Sequence, residues 1–289
     1  MEILVILGRV AFASFANVYQ KQLSQQHHPL FIVMASYAML AILCIPLLFF
    51  IPISTLSNEF WLNCLLAALL DMAGTLFLVK SLSTTDLSLF GPLNAYKVII
   101  SMILAFFLLN EVPNLQGLAG IIIIILGSFF LAPPKQPKNT QHRLIQLFTN
   151  KGVQYRFLSI LLFSIGTLPL KNAVLSGQAL ATTVFWCLLG LPLACLSYRL
   201  FTTDKVSIVK QYQSAQSHIM MLSLLMFLMQ YTTMIVLSHT LIAYSLALFQ
   251  LSMVLQVFLG YRIFKEQHIR RRLFSCLIMI FGSLMVLQA

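Results

Sequence analysis

The chain alternates long apolar runs with short polar breaks. A membrane-spanning helix needs about 20 largely apolar residues. Ten runs meet that requirement: Ile3–Tyr19, Pro29–Phe50, Phe60–Lys80, Leu87–Leu109, Leu115–Ala132, Tyr155–Val174, Ala179–Leu200, His218–Ser238, Leu241–Phe264 and Leu273–Gln288. The breaks are polar or carry proline, as in QKQLSQQHHP, NEVPN, PPKQPKNTQHR and KEQHIRRR. Those at Ser81–Asp86 and Ser238–Thr240 are brief, so the helices flanking them are expected to form antiparallel hairpins. The start of the chain, MEILVILGRVAFASF, lacks a basic leader and a small-residue cleavage site, and is expected to be the first span and not a removable signal. The expected fold is an all-α integral membrane protein of about ten transmembrane helices.

Two segments repeat a pattern. LLNEVPNLQGLAGIIIIILGSFFL and IFKEQHIRRRLFSCLIMIFGSLMVL align Glu111 with Glu266, Gly127 with Gly282 and Ser128 with Ser283, each 155 positions apart. Lys21 and Lys171 form a weaker echo at the exits of the first and sixth spans. The runs divide into a first five-helix repeat over residues 1–132, a polar linker loop over 133–152 and a second five-helix repeat over 153–289. An odd number of spans per repeat inserts the second copy upside down, giving a 5+5 inverted-topology repeat.

Composition excludes a soluble domain. The chain is 60% hydrophobic and 9% charged, against about 45–50% and about 25% in ordinary soluble proteins. The formal net charge of +11 therefore points to loop topology and not to nucleic acid. Fourteen of the eighteen Lys and Arg lie in or beside alternate loops, including Lys21, Arg156, Arg199 and Arg262, while the opposite loops carry Glu59, Glu111, Lys171 and His239. The positive-inside rule then places both termini on the non-cytoplasmic side of a cell inner (plasma) membrane. The five cysteines sit in apolar runs without a Cys-x-x-Cys pair, and no metal spacing, phosphate loop or nucleophile motif stands out, so no cofactor, metal or catalytic residue is expected.

A helix ending in Glu, then a short turn and a helix ending in Gly-Ser, twice in one chain, resembles the EamA-type members of the drug/metabolite transporter superfamily. The segments AFFLLNEVPNLQGLAGIIIIILGSFF and FLGYRIFKEQHIRRRLFSCLIMIFGS carry the resemblance. The family usually has Gly before the Glu, where this chain has Asn110 and Lys265. Many members also have a Pro midway along helices four and nine; here Pro92 comes early in helix four and helix nine has none. The resemblance implies ten helices in an inverted repeat, a central cavity and alternating-access transport of small metabolites. It also implies cytoplasmic termini, against the loop charges of this chain.

Charges inside a bilayer are costly and are functional candidates by default. Arg9, Asp71 and Lys97 fall within apolar runs. Asp71 and Lys97 lie at similar depth on one helical hairpin, so they either pair structurally or line a transport path. Arg9 is expected to snorkel outward or to add positive charge to the cavity. Pro92 leaves the Ser88 carbonyl without its helical donor, with Asn94 and Tyr96 close by, as in the broken helices that build transporter sites. The second half offers neutral groups: Trp186, Gln230, Tyr231 and Gln250, with Gln230 and Gln250 near the depth of Asp71. Gln250 and Gln256 are six apart and are not expected on one face. Glu111 and Glu266 are expected to favour the start of the helix that follows each, in a structural or gate role. Gly127 and Gly282 are expected to allow close helix packing.

The function these features suggest is secondary active transport, probable direction efflux, of a small polar metabolite, an amino acid-like or anionic compound or a drug. Its substrate-binding residues would be Arg9, Asp71, Asn94, Tyr96, Lys97, Trp186, Gln230, Tyr231 and Gln250, and Asp71 would carry protons if transport is proton-coupled. The expected partners are the small-molecule substrate, possible protons and the lipid bilayer, with the chain a monomer or homodimer. A membrane-embedded accessory subunit is the alternative, and an intramembrane enzyme a weaker one because the seven acids are mostly in loops.

Overall fold

The computed structural model describes residues 2–84, 90–130, 151–202, 208–264 and 269–288. All regular structure among them is helical: α1 (Glu2–Ser24), α2 (Pro29–Cys44, extended by a 3-10 turn over Ile45–Phe50), α3 (Asn58–Thr84), α4 (Phe90–Leu109), α5 (Leu115–Phe130), α6 (Lys151–Gly177), α7 (Ala179–Phe201), α8 (Ile208–His239), α9 (Ile242–Phe249), α10 (Ser252–Phe264) and α11 (Ile269–Leu287). Seven spans among the described residues are long and apolar enough to cross a membrane. Three shorter apolar helices, Tyr96–Leu109, Leu115–Gly127 and Leu277–Leu287, accompany them. The chain is a multi-pass membrane protein.

Local chemistry sets the helix ends. His28 Nδ1 accepts from Leu30 N at 3.3 Å, and Pro29 occupies the first turn of α2, where its missing N–H costs nothing. Ser57 Oγ accepts from Phe60 N at the start of α3, and Asn114 Oδ1 accepts from Gly117 N at the start of α5. Asn110 ends α4 with φ 54°, and Glu111 N reaches back to the Ala105 carbonyl at 3.3 Å. A left-handed residue just past the last helical turn is a common helix ending, which favours Gly and next Asn. The requirement explains why Asn110 can stand where the resembled family has Gly.

The surface is apolar and the interior mixed. Leu4, Phe49, Phe107, Leu115 and Phe201 are exposed, while Ser14, Ser81, Ser164, Thr182 and Ser223 are buried. Helices α3 and α6 lie side by side, as do α1 and α8, α2 and α7, and α5 and α11. The α5–α11 contact depends on glycine. A Cβ on Gly282 would lie 2.8 Å from the Gly120 carbonyl oxygen and 2.9 Å from Ile124 Cγ1, and one on Gly127 would lie 2.7 Å from Met279 Cγ.

Three expectations change. The sixth and eighth spans begin further upstream than the apolar pattern indicates, at Lys151 and Ile208. The ninth run is not one helix, since α9 stops at Phe249 and α10 starts at Ser252 with Gln250–Leu251 as a turn between them. α4 runs as continuous helix from Phe90 through Pro92 to Leu109, so no break follows Pro92 among the described residues. Ser88, Glu266 and residues 133–150 of the linker lie outside the described residues, as do the side chains of Pro92 and Asn94; residues 151 and 152 belong to α6.

Gly282→Ala should destabilise the purified protein by about 1–3 kcal/mol, because a backbone carbonyl cannot move aside. Gly8→Ala, whose Cβ would meet Phe12 at an ordinary 3.5 Å, should not. Thermal unfolding of both variants in detergent checks this, and equal melting temperatures would refute the packing argument.

Candidate functional site

A cavity of about 180 Å³ lies inside the helix bundle. Its charged side chains and part of its amides come from both halves of the chain, among them Arg9 (α1), Asp71 (α3), Lys97 (α4), Arg156 (α6), Gln230 (α8) and Gln250 at the α9–α10 break. Asp71 lies 13 residues into α3, about 20 Å along it at 1.5 Å per residue. Its Oδ2 accepts from Trp186 Nε1 at 3.0 Å. Trp186 leans on Tyr37 with ring centroids 5.4 Å apart, which fixes the indole that holds the carboxylate. Gly166 lets α6 come close there, since a Cβ on it would lie 3.0 Å from Asp71 Oδ1.

The cations are placed separately. Arg9 Nε donates to Thr233 Oγ1 at 3.3 Å, and its guanidinium lies 3.9 Å from the Phe249 ring centroid. Lys97 Nζ lies 5.1 Å from the Phe163 ring centroid. Asp71 attracts Lys97 electrostatically while Arg9 and Arg156 repel it. Three basic side chains against one carboxylate line the cavity among the described residues, which suits it to negative charge. The cavity runs from Arg9 toward Gln20 and Arg156, near the end of α1 and the start of α6.

Toward the other end the two halves of the chain make a contact. Glu111, after α4, pairs through Oε1 with Lys171 Nζ of α6, the one ion pair among the described residues. Its Oε2 accepts from Ile242 N, the first residue of α9, at 2.6 Å. Lys171 Nζ also donates to the Thr240 carbonyl at 2.9 Å. Both side chains are about nine-tenths buried. Glu111 therefore caps α9 and not α5, whose start Asn114 caps instead. A second recess of about 570 Å³ lies at this end, lined by Glu111, Lys171, His239 and Tyr244.

The EamA-like transporter family model matches residues 1–132. Over that region the chain is EamA-like. A solved crystal structure, described only as that of a protein, superposes with a TM-score of 0.72 over 99% of this chain and 96% of its own, at 13% identity. That likeness shows a shared fold over the whole length, and it extends past the EamA-like region. No curated protein matches the sequence.

The EamA-like half supplies Arg9, Asp71 and Lys97, and the second half adds Trp186, Gln230 and Gln250 to the same cavity wall. Tyr96 and Tyr231 lie off that wall: Tyr96 packs edge-on to Phe157 and is exposed, and Tyr231 stacks on Phe227. Asp71 and Lys97 make no direct ion pair; the carboxylate accepts from Trp186. Arg9 does not snorkel outward; it turns inward onto Thr233 and Phe249. Gln250 and Gln256 both line the cavity, since the break resets the helical register between them.

The second half is also not neutral. Arg156, assigned to a loop by its sequence position, is 8% exposed in α6 and lines the cavity. It shares a stripe with Ile160, Phe163, Thr167 and Leu170, spaced three or four residues apart. That stripe is the sequence signal that would have found it. Lys171, read as an echo of Lys21, is instead the partner of Glu111.

Lys171→Met should destabilise the protein by about 3–5 kcal/mol, because it leaves the Glu111 carboxylate buried and unpaired. The double variant Glu111→Gln with Lys171→Met should recover much of that loss. Chemical unfolding of the single and double variants measures both, and additive losses would exclude the pair.

Proposed function

We propose that this protein is a secondary active transporter that moves a small polar compound, anionic or amino acid-like, by alternating access through the central cavity. The observation that carries this is the arrangement itself: charged groups from both halves face one cavity, and an ion pair between the halves closes one end of it. A site at mid-membrane between two halves is a recurrent transporter design.

A 5+5 inverted repeat accounts for the packing. If α1 to α5 correspond to α6, α7, α8, the α9–α10 pair and α11, then the α3–α6 contact maps onto the α8–α1 contact. The α2–α7 and α5–α11 contacts map onto themselves. The 155-residue offset holds within the α5–α11 contact: Gly127 meets Met279, and Gly282 meets Ile124, which is 155 positions before Met279. The three shorter apolar helices, with α9 and α10 counted as one span, bring the total to ten.

Loop charges orient the molecule with its basic loops in the cytoplasm of an inner membrane and both termini outside. The cavity then extends toward the cytoplasm and Glu111 closes the outer side, which suits loading from within and efflux. Asp71 is the acid at mid-depth and the candidate to exchange protons or meet a cationic group. Arg9, Lys97 and Arg156 balance negative charge on the substrate, and Trp186 orients Asp71.

Asp71→Asn should abolish transport by proteoliposomes or cells while membrane abundance stays unchanged; parallel loss of abundance and activity would make Asp71 a structural residue. For orientation, a C-terminal reporter active only in the cytoplasm should stay dark. A bright reporter would reverse the two faces.

A further inference from the structure

The corner where α1, α8 and the α9–α10 break meet has more donors than protein acceptors. Gln230 is 6% exposed and lines the cavity, yet its Nε2 has no hydrogen-bond partner. A buried amide left unpaired costs about 1–3 kcal/mol, so such a group calls for an occupant. Thr233, one turn along α8 from Gln230, accepts from Arg9 Nε. The same guanidinium lies over Phe249, the last residue of α9. Arg9 thus sits between Gln230's face of α8 and the break. Beyond the break, α10 starts inside the bundle, with Ser252 and Gln256 lining the cavity. A helix start attracts anions through its dipole. Here the Met253 and Val254 amides already bond to the Gln250 and Leu251 carbonyls, so the backbone contributes field more than free N–H groups.

We propose that this corner is a subsite for an oxyanion group of the substrate, held by the Arg9 guanidinium and the Gln230 amide beside the start of α10. The inference rests on the transport function above and narrows it to compact organic anions bearing a carboxylate or phosphate. Arg9 presents a planar set of N–H donors, the geometry that fits carboxylate or phosphate oxygens. Asp71 does not compete for Arg9, because Trp186 holds it.

The test is ligand-dependent thermal unfolding of the full-length protein in detergent. Succinate and glycerol 3-phosphate are the probes, with neutral succinamide and glycerol as controls. At least one anionic probe should raise the melting temperature saturably, and which one does so separates carboxylate from phosphate; the controls should not. Gln230→Leu should raise the half-saturating concentration about tenfold, the value of one hydrogen bond to a charged group. Without ligand it should melt no lower than the wild type, because it removes an unpaired buried amide. Arg9→Gln should abolish the shift, and Arg9→Lys should restore part of it. No saturable shift with either anion would overturn the subsite, as would unchanged titration of Gln230→Leu or its lower melting point without ligand. Wild-type protein that transports a compound but shows none of these shifts would remove the subsite and leave the transporter function standing.

Discussion

A charge inside the hydrocarbon of a bilayer costs several kcal/mol unless it faces protein or water. This constraint orders the interior of the molecule. Arg9, Asp71, Lys97 and Arg156 all turn to one cavity, and Glu111 and Lys171 turn to each other. The helices that carry them present Leu and Phe outward, so the bundle is apolar outside and partly polar within. Packing follows from this. Gly166 gives α6 room to approach Asp71, and Gly120 and Gly282 bring α5 and α11 together at the side of the bundle.

The Glu111 contact shows how a turn becomes part of a long-range device. Asn110 accepts a left-handed conformation, and the next residue's amide bonds back to the Ala105 carbonyl of α4. The Glu111 side chain then reaches a lysine 60 residues later and a backbone amide 131 residues later. One carboxylate neutralises a cation and satisfies the open end of α9, which has no side-chain cap of its own. Each bond offsets part of the cost of burying the charge.

Hydrophobic periodicity made the spans legible because lipid demands long apolar runs, and the run lengths held to within a few residues at most ends. The resemblance to EamA-type transporters was legible because Glu111, Gly127 and Gly282 occupy turn and close-packing positions, where few residues fit. Arg156 was not, because a basic residue near a polar linker looks like a loop charge until α6 is seen to start at Lys151. The break at Gln250 was not, because neither Gly nor Pro marks it; Phe249 and Gln250 are unremarkable in a helix, and tertiary contacts decide. The Glu111–Lys171 pair was not, because no local pattern joins residues so far apart. These three omissions share a cause, and together they made the second half look neutral when it supplies a cation to the cavity and another to the closure.

The short helix α9 joins the two ends of the site. Its first amide bonds to Glu111, and its last residue lies under the Arg9 guanidinium. Eight residues span about 12 Å, and a helix of that length moves as a unit. Its far end is a turn whose Gln250 and Leu251 amides bond back to the Ala247 and Leu248 carbonyls, and whose own carbonyls accept from Met253 and Val254 of α10. Coupling between a binding site and a gate needs an element that both ends can bias. Here that element is hydrogen-bonded to the closure at one end and packed against a cavity cation at the other. Its connection to the rest of the ninth span is a pair of turn residues, one of which lines the cavity. The α9–α10 turn and the Glu111–Lys171 pair are therefore joined by one short helix, and neither is intelligible from its own segment of the chain.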